Sequence, residues 1–186
     1  MRAALSIFLI GMMGAGKSTV GVRLARRLDR AFIDVDRELE CRLGVDIPTI
    51  FDLEGEEGFR RRESQLIDEL TTREGLVLAT GGGAVQSPAN RRVLSSRGLV
   101  VYLRATPADL WQRLRRDKHR PLLKAENPRQ RVFELVEQRD PQYQEIADHV
   151  VNTGRQPVDL AVDSIIDWLS QPDCAQRAQC KVSCSK

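Results

Sequence analysis

The chain has 186 residues, 41% of them hydrophobic and 30% charged, with a formal net charge of +3. A single globular domain of this size buries roughly 70% of its unfolded surface, so it needs no disulfide scaffold or structural metal to hold a core. The basic excess is mild and interrupted by acids throughout, which argues against a nucleic-acid binder and suits a site for small anions.

In chain order, the first apolar run is Ala3 to Ile10, behind Arg2. It is far too short to span a bilayer, and it leads directly into a glycine loop. It therefore reads as a first strand, Ile7–Ile10, rather than a cleaved leader. The loop is Gly11-Met12-Met13-Gly14-Ala15-Gly16-Lys17-Ser18, a match to G-x-x-x-x-G-K-[ST]. Its glycines let the backbone turn N–H groups toward phosphate oxygens, and a helix predicted over 17–29 adds its positive end. Gly14, Ala15, Gly16, Lys17, Ser18 and Thr19 are the candidate nucleotide contacts. Lys17 is the residue to reach the β- and γ-phosphates, and the Ser18 hydroxyl is a candidate magnesium ligand. Chance would produce the motif's fixed positions in a chain this long with odds on the order of 1%.

A second strand is predicted over Phe32–Val35, ending in Asp34-Val35-Asp36. Residues 37–62 then form an insertion, overlapping a helix predicted over 56–73. The third strand, Leu76–Thr80, runs into Gly81-Gly82-Gly83. A helix over 88–97, a strand over Leu99–Leu103 and a helix over 107–117 follow. Residues 117–128 are polar, carry Pro121 and Pro128, and read as an exposed mobile loop. A helix over 128–146, a strand at His149–Asn152 and a helix over 157–170 complete the pattern. The polar stretch 171–186 reads as a disordered tail. Its Cys174, Cys180 and Cys184, with Cys41, match no zinc spacing and read as free thiols in a reducing cytosol.

This alternation of apolar strands with helices implies βαβ units: an α/β, three-layer P-loop NTPase fold on a five-stranded parallel sheet. A guanine-nucleotide switch is disfavoured, because no N-K-x-D occurs and no strand ends at Asp52.

Four further motifs, taken with the P-loop, resemble the shikimate kinase family from Ile7 to about Leu169. They are Asp34-Val35-Asp36; Gly58-Phe59-Arg60-Arg61-Arg62-Glu63; Thr80-Gly81-Gly82-Gly83; and Arg120-Pro121-Leu122-Leu123 with the later Arg139-Asp140-Pro141-Gln142-Tyr143. The resemblance implies ATP and Mg2+ as cofactors and shikimate as substrate, phosphorylated to shikimate 3-phosphate on the way to chorismate. It implies that Asp36 accepts the hydroxyl proton, and that Arg60 and Arg139 clamp the substrate carboxylate. It makes Arg120 the phosphate-reaching residue of a lid over about 117–128, and puts Arg113 and Arg155 beside adenine. It also makes 37–62 a substrate module within a domain spanning 1–170. The cysteine-bearing tail has no counterpart in the family pattern. A cytoplasmic monomer is expected, with no nucleic-acid or membrane partner.

The residues allow plainer readings beside these. Asp34 would hold magnesium through water from the same strand face as Asp36, and Asp36 itself could merely cap the following helix, the commonest use of an Asp at a helix start. Three consecutive glycines either admit a ligand close to the backbone or make a tight turn. Arg113 sits in a basic run typical of a solvated helix face, and Cys41 fits a helix–helix contact. Arg61 and Arg62 pair with nearby glutamates. Another small-metabolite kinase, such as a gluconate kinase, or a regulatory nucleotide binder without turnover, would share the P-loop.

Overall fold

The computed structural model describes residues 5–115 and 126–172, together with Cys174 and Lys181. Five parallel strands form one sheet: β1 Ser6–Ile10, β2 Ala31–Asp34, β3 Leu76–Ala79, β4 Gly98–Arg104 and β5 His149–Asn152, in the order β2-β3-β1-β4-β5. β1 is central, pairing Ile7 with Val77 on one side and Leu99 on the other. Every residue of β1 and β3 is buried. That is why these strands are apolar without alternation: helices cover both faces.

Among the described residues seven α-helices surround the sheet: α1 Lys17–Leu28, α2 Val35–Leu43, α3 Ile47–Leu70, α4 Pro88–Arg97, α5 Pro107–Leu114, α6 Pro128–Ile146 and α7 Val158–Leu169. They pack in two groups, α1 with α7, and α4 with both α3 and α6; α1 and α7 touch the sheet in the first group, α4 and α6 in the second. The result is the expected three-layer α/β fold. Along α1 and α7 the exposed seam carries Arg23–Asp159 and Arg27–Asp163 ion pairs.

The predicted strands hold to within one or two residues, and α4 and α6 match their predicted limits. The insertion is the larger difference. It contains α2 from Arg37 onward and the first part of α3. Asp34 caps α2, accepting from Asp36 N and Arg37 N, and Gly44 ends it in the left-handed region. Asp46 caps α3 through Thr49 N, and Gly55, at φ 69° and ψ −179°, breaks α3 in two. These helices are short and polar, so apolar periodicity is a weak signal for them; their caps are the stronger one.

The capping also corrects the reading of Asp34-Val35-Asp36. β2 ends at Asp34, and Asp36 lies in the first turn of α2, so the two carboxylates do not share a strand face. Asp34, not Asp36, is the cap. Cys41 is exposed rather than at a helix–helix contact.

Arg120 and most of the expected lid, 117–128, lie outside the described residues; Asn127 caps α6 through Gln130 N. Cys180 and Cys184 also lie outside them. Elsewhere in the tail, Cys174 is buried in the core, and Lys181 donates to Gly98 O at 2.9 Å and to the Asp148 carboxylate. No helix among the described residues is long and apolar enough to cross a membrane.

Candidate active site

Both candidate cavities open at the C-terminal ends of the strands, where β1 and β3 run into glycine loops and β2 into α2, as an open α/β sheet requires. The P-loop wraps the start of α1. Gly16 precedes the helix at φ 94° with no side-chain cap, which leaves the first helical N–H groups to an anionic ligand. Gly11 is required by space as well as by φ 142°: a Cβ there would lie 2.5 Å from Leu103 O. The Lys17 ammonium sits inside the loop, donating to Gly11 O at 2.7 Å and Met12 O at 3.0 Å.

The loop is tied to the far side of the cavity. Thr153 Oγ1 donates to Ala15 O at 2.9 Å. Arg113 Nη1 donates to Gly14 O at 2.9 Å, and its Nη2 reaches Thr153 O and Gly154 O. Arg113 therefore lines the nucleotide-sized cavity, of about 440 Å³, with Asn152, Gln156 and Pro157 beyond the loop. Arg155 does not line it. Its side chain is 94% exposed and stands 3.7 Å from Asp109. Gln156 and Pro157, its neighbours, do line it.

A second cavity, also of about 440 Å³, lies between α2, α3 and the three glycines. The two cavities share Met13, Ser18, Asp34, Asp36 and Gly82. Asp36 stands at that junction. Ser18 Oγ donates to Asp34 Oδ2 at 2.5 Å, while Asp34 Oδ1 accepts from Asp36 N at 3.1 Å. One carboxylate thus joins the start of α1 to the start of α2. Ser18 and Asp34 supply hard oxygens that fit magnesium. Among the described residues no cluster of three or more His, Cys, Asp or Glu could hold a metal, so a magnesium ion here would take its other ligands from water and phosphate.

The glycines are explained by what approaches them. A Cβ on Gly81 would lie 2.2 Å from Glu63 Oε1 and 2.9 Å from Asp36 Oδ1. On Gly83 it would lie 2.2 Å from Arg60 Nη2, and on Gly82, 2.9 Å from Met13 N. The run brings the chain close to three functional side chains and to the P-loop at once, which a simple turn would not require.

Arg60 pairs with Glu63 at 2.6 Å and with Glu56 at 3.2 Å, and its guanidinium lies over the Phe59 ring at 5.1 Å. Glu63 is fully buried. Burial raises its pKa, an effect that the Arg60 charge opposes and the Asp36 charge reinforces. Arg61 and Arg62 pair outside the site with Glu57 and Glu54. Arg139 is 1% exposed. Its Nη1 donates to Gly82 O at 3.2 Å, as the Tyr143 hydroxyl also does. Burial lowers the Arg139 pKa, and Arg60 adds to the effect by like-charge repulsion. Arg60 lines the second cavity, whereas Arg139 lies behind its wall and lines neither cavity; guanidiniums held near one another are the chemistry that suits a carboxylate.

Glu63 and Gln86 were missed from the sequence. Glu63 reads as a helix-surface partner for the adjacent arginines; only its zero exposure sets it apart.

A family model described as "Shikimate kinase" matches residues 13–170. The chain is 56% identical over 161 residues to a shikimate kinase of Burkholderia lata, covering 87% of this chain and 88% of that one. It is 58% identical over 149 residues to one of Aromatoleum aromaticum, covering 80% and 85%. Among solved structures, a shikimate kinase of Acinetobacter baumannii in complex with shikimate superposes with a TM-score of 0.87 at 46% identity, covering 89% of this chain and 93% of that one.

Proposed function

Since the chain belongs to the shikimate kinase family and phosphorylates shikimate at the expense of ATP, we propose how its residues divide that work. ATP occupies the P-loop cavity and shikimate the cavity over the substrate module. The reacting hydroxyl and the γ-phosphoryl group meet at Asp36. The observation that carries this reading is the shared boundary of the two cavities at Asp36, Ser18, Asp34 and Gly82.

In this assignment Arg60 and Arg139 bind the substrate carboxylate and so point a ring hydroxyl at Asp36. The Asp36 carboxylate takes the hydroxyl proton as the oxygen attacks the γ-phosphorus, and the bond from that phosphorus to the departing ADP oxygen breaks. Lys17 turns from the loop carbonyls to the β- and γ-phosphates. The backbone N–H groups at the start of α1 hold the same oxygens. Arg120, by the resemblance, adds a positive charge from the lid. Ser18 and Asp34 would hold magnesium, which when bound would neutralise phosphate charge. Positioning and electrostatics of this kind supply most of the catalysis in phosphoryl transfer. A monomer in the cytoplasm belongs to the same proposal.

A coupled ADP-release assay tests it. Release should require shikimate and should not occur with gluconate. Equal release with gluconate, or release indifferent to shikimate, would overturn the substrate assignment.

A further inference from the structure

We propose that Gln86 is a positioning residue for substrate binding: its carboxamide oxygen fixes which edge of the Arg139 guanidinium is left for the substrate carboxylate. This rests on the reading of Arg139 as a carboxylate clamp.

A guanidinium can only donate, so the end of the Gln86 carboxamide that faces it must be the oxygen. Placed so, that oxygen accepts from Arg139 Nε at 2.7 Å and from Nη2 at 2.7 Å. These two N–H groups form one of the flat edges with which an arginine grips a carboxylate through two parallel bonds. Gln86 occupies that edge. The N–H groups left for a substrate carboxylate are those of Nη1 and Nη2, each of which carries two; Nη1 also donates to Gly82 O at 3.2 Å, and the Tyr143 hydroxyl interacts with the same guanidinium.

The holder is rigid. Gln86 ends a single 3-10 turn, Ala84–Gln86, directly after the three glycines, and its N–H donates to Gly83 O at 3.0 Å. Asn90 Nδ2 ties Ala84 O to α4 at 2.9 Å, and Arg91 Nη1 ties Val85 O at 2.7 Å. The glycine turn and the clamp that reads the substrate are thus aligned by one short element. A neutral acceptor suits this task. It orients the guanidinium and leaves its charge for the substrate, whereas a carboxylate in the same place would pair it off.

Steady-state kinetics on Gln86→Met, Gln86→Glu and Arg139→Met test the inference. Gln86→Met keeps the length and removes the acceptor. It should raise the KM for shikimate about tenfold, the scale of one lost hydrogen bond to a charged group. kcat and the KM for ATP should stay within about threefold, because Gln86 touches neither the nucleotide nor the reacting oxygen. Gln86→Glu restores the acceptor and should recover part of that loss, less than wild type because it neutralises the guanidinium. Adding Gln86→Met to Arg139→Met should cost nothing further. If Gln86→Met fails to fold, Gln86→Thr, too short to reach Arg139, takes its place. An unchanged shikimate KM in the Gln86 variants, beside a raised one in Arg139→Met, overturns the positioning role alone. An unchanged KM in Arg139→Met overturns the clamp reading and this inference with it.

Discussion

Glu63 and Arg60 form a 2.6 Å ion pair whose acid is fully buried while its base borders the substrate cavity. Such a pair serves less for stability than for holding the guanidinium at one angle, since burying the carboxylate costs much of what the attraction returns. Glu63→Gln should therefore raise the shikimate KM about tenfold and leave the KM for ATP unchanged, the scale expected when a charged partner in a hydrogen bond becomes neutral. The pH dependence has a definite sign. The Glu63 pKa is raised above 4.5, with burial the largest cause, so the folded state holds its proton more tightly than the unfolded chain does. Stability from this group is full below the unfolded value and is lost as pH rises through the folded one. Melting curves between pH 4 and 8 should show the wild type losing stability relative to Glu63→Gln as pH rises; parallel profiles would contradict this.

The glycine run makes a prediction that separates the two cavities. Alanine at Gly83 meets only the end of the Arg60 side chain, whereas alanine at Gly82 meets the backbone N of Met13 in the P-loop. Gly83→Ala should raise the KM for shikimate alone. Gly82→Ala should impair ATP and shikimate together, because moving Met13 moves the phosphate cradle. Separate titrations of each substrate decide it; matching profiles for the two variants would remove the structural distinction.

The tail bears on stability rather than turnover. Removing residues 171–186 deletes buried Cys174 and the Lys181 contacts with Gly98 O and Asp148, at the N-terminal end of β4 and away from both cavities. The melting temperature should fall by a few degrees, since about 1 kcal/mol moves it by roughly 2–4 °C at this size. kcat and both KM values should hold. Loss of activity in a folded truncated protein would show that the tail acts on the site.

Much of this was legible in the residues. The P-loop announces itself by spacing, and β1, β3 and β4 by unbroken apolar runs that only doubly covered strands tolerate. The insertion was less legible. α2 and the start of α3 rest on caps at Asp34 and Asp46 and stops at Gly44 and Gly55 more than on an apolar face. The reach of a side chain is not a property of sequence spacing either. Arg155 and Gln156 are adjacent, yet only Gln156 lines the cavity. Glu63 and Glu57 look alike as helix-face acids, and only the packing of α3 against the glycine turn buries one of them. Gln86 gains its place from a 3-10 turn that no periodicity marks.

Asp36 carries the central claim, that phosphoryl transfer takes place where the two cavities meet. Because Asp34 caps α2, Asp36→Asn removes charge and basicity without removing the cap. ATP affinity and melting temperature should change little. The decisive measurement is kcat of folded Asp36→Asn at saturating shikimate and ATP. The account predicts a fall of roughly 10²–10⁴, the usual contribution of a general base. Turnover near wild type would contradict it, and would place the proton acceptor somewhere other than the junction of the two cavities.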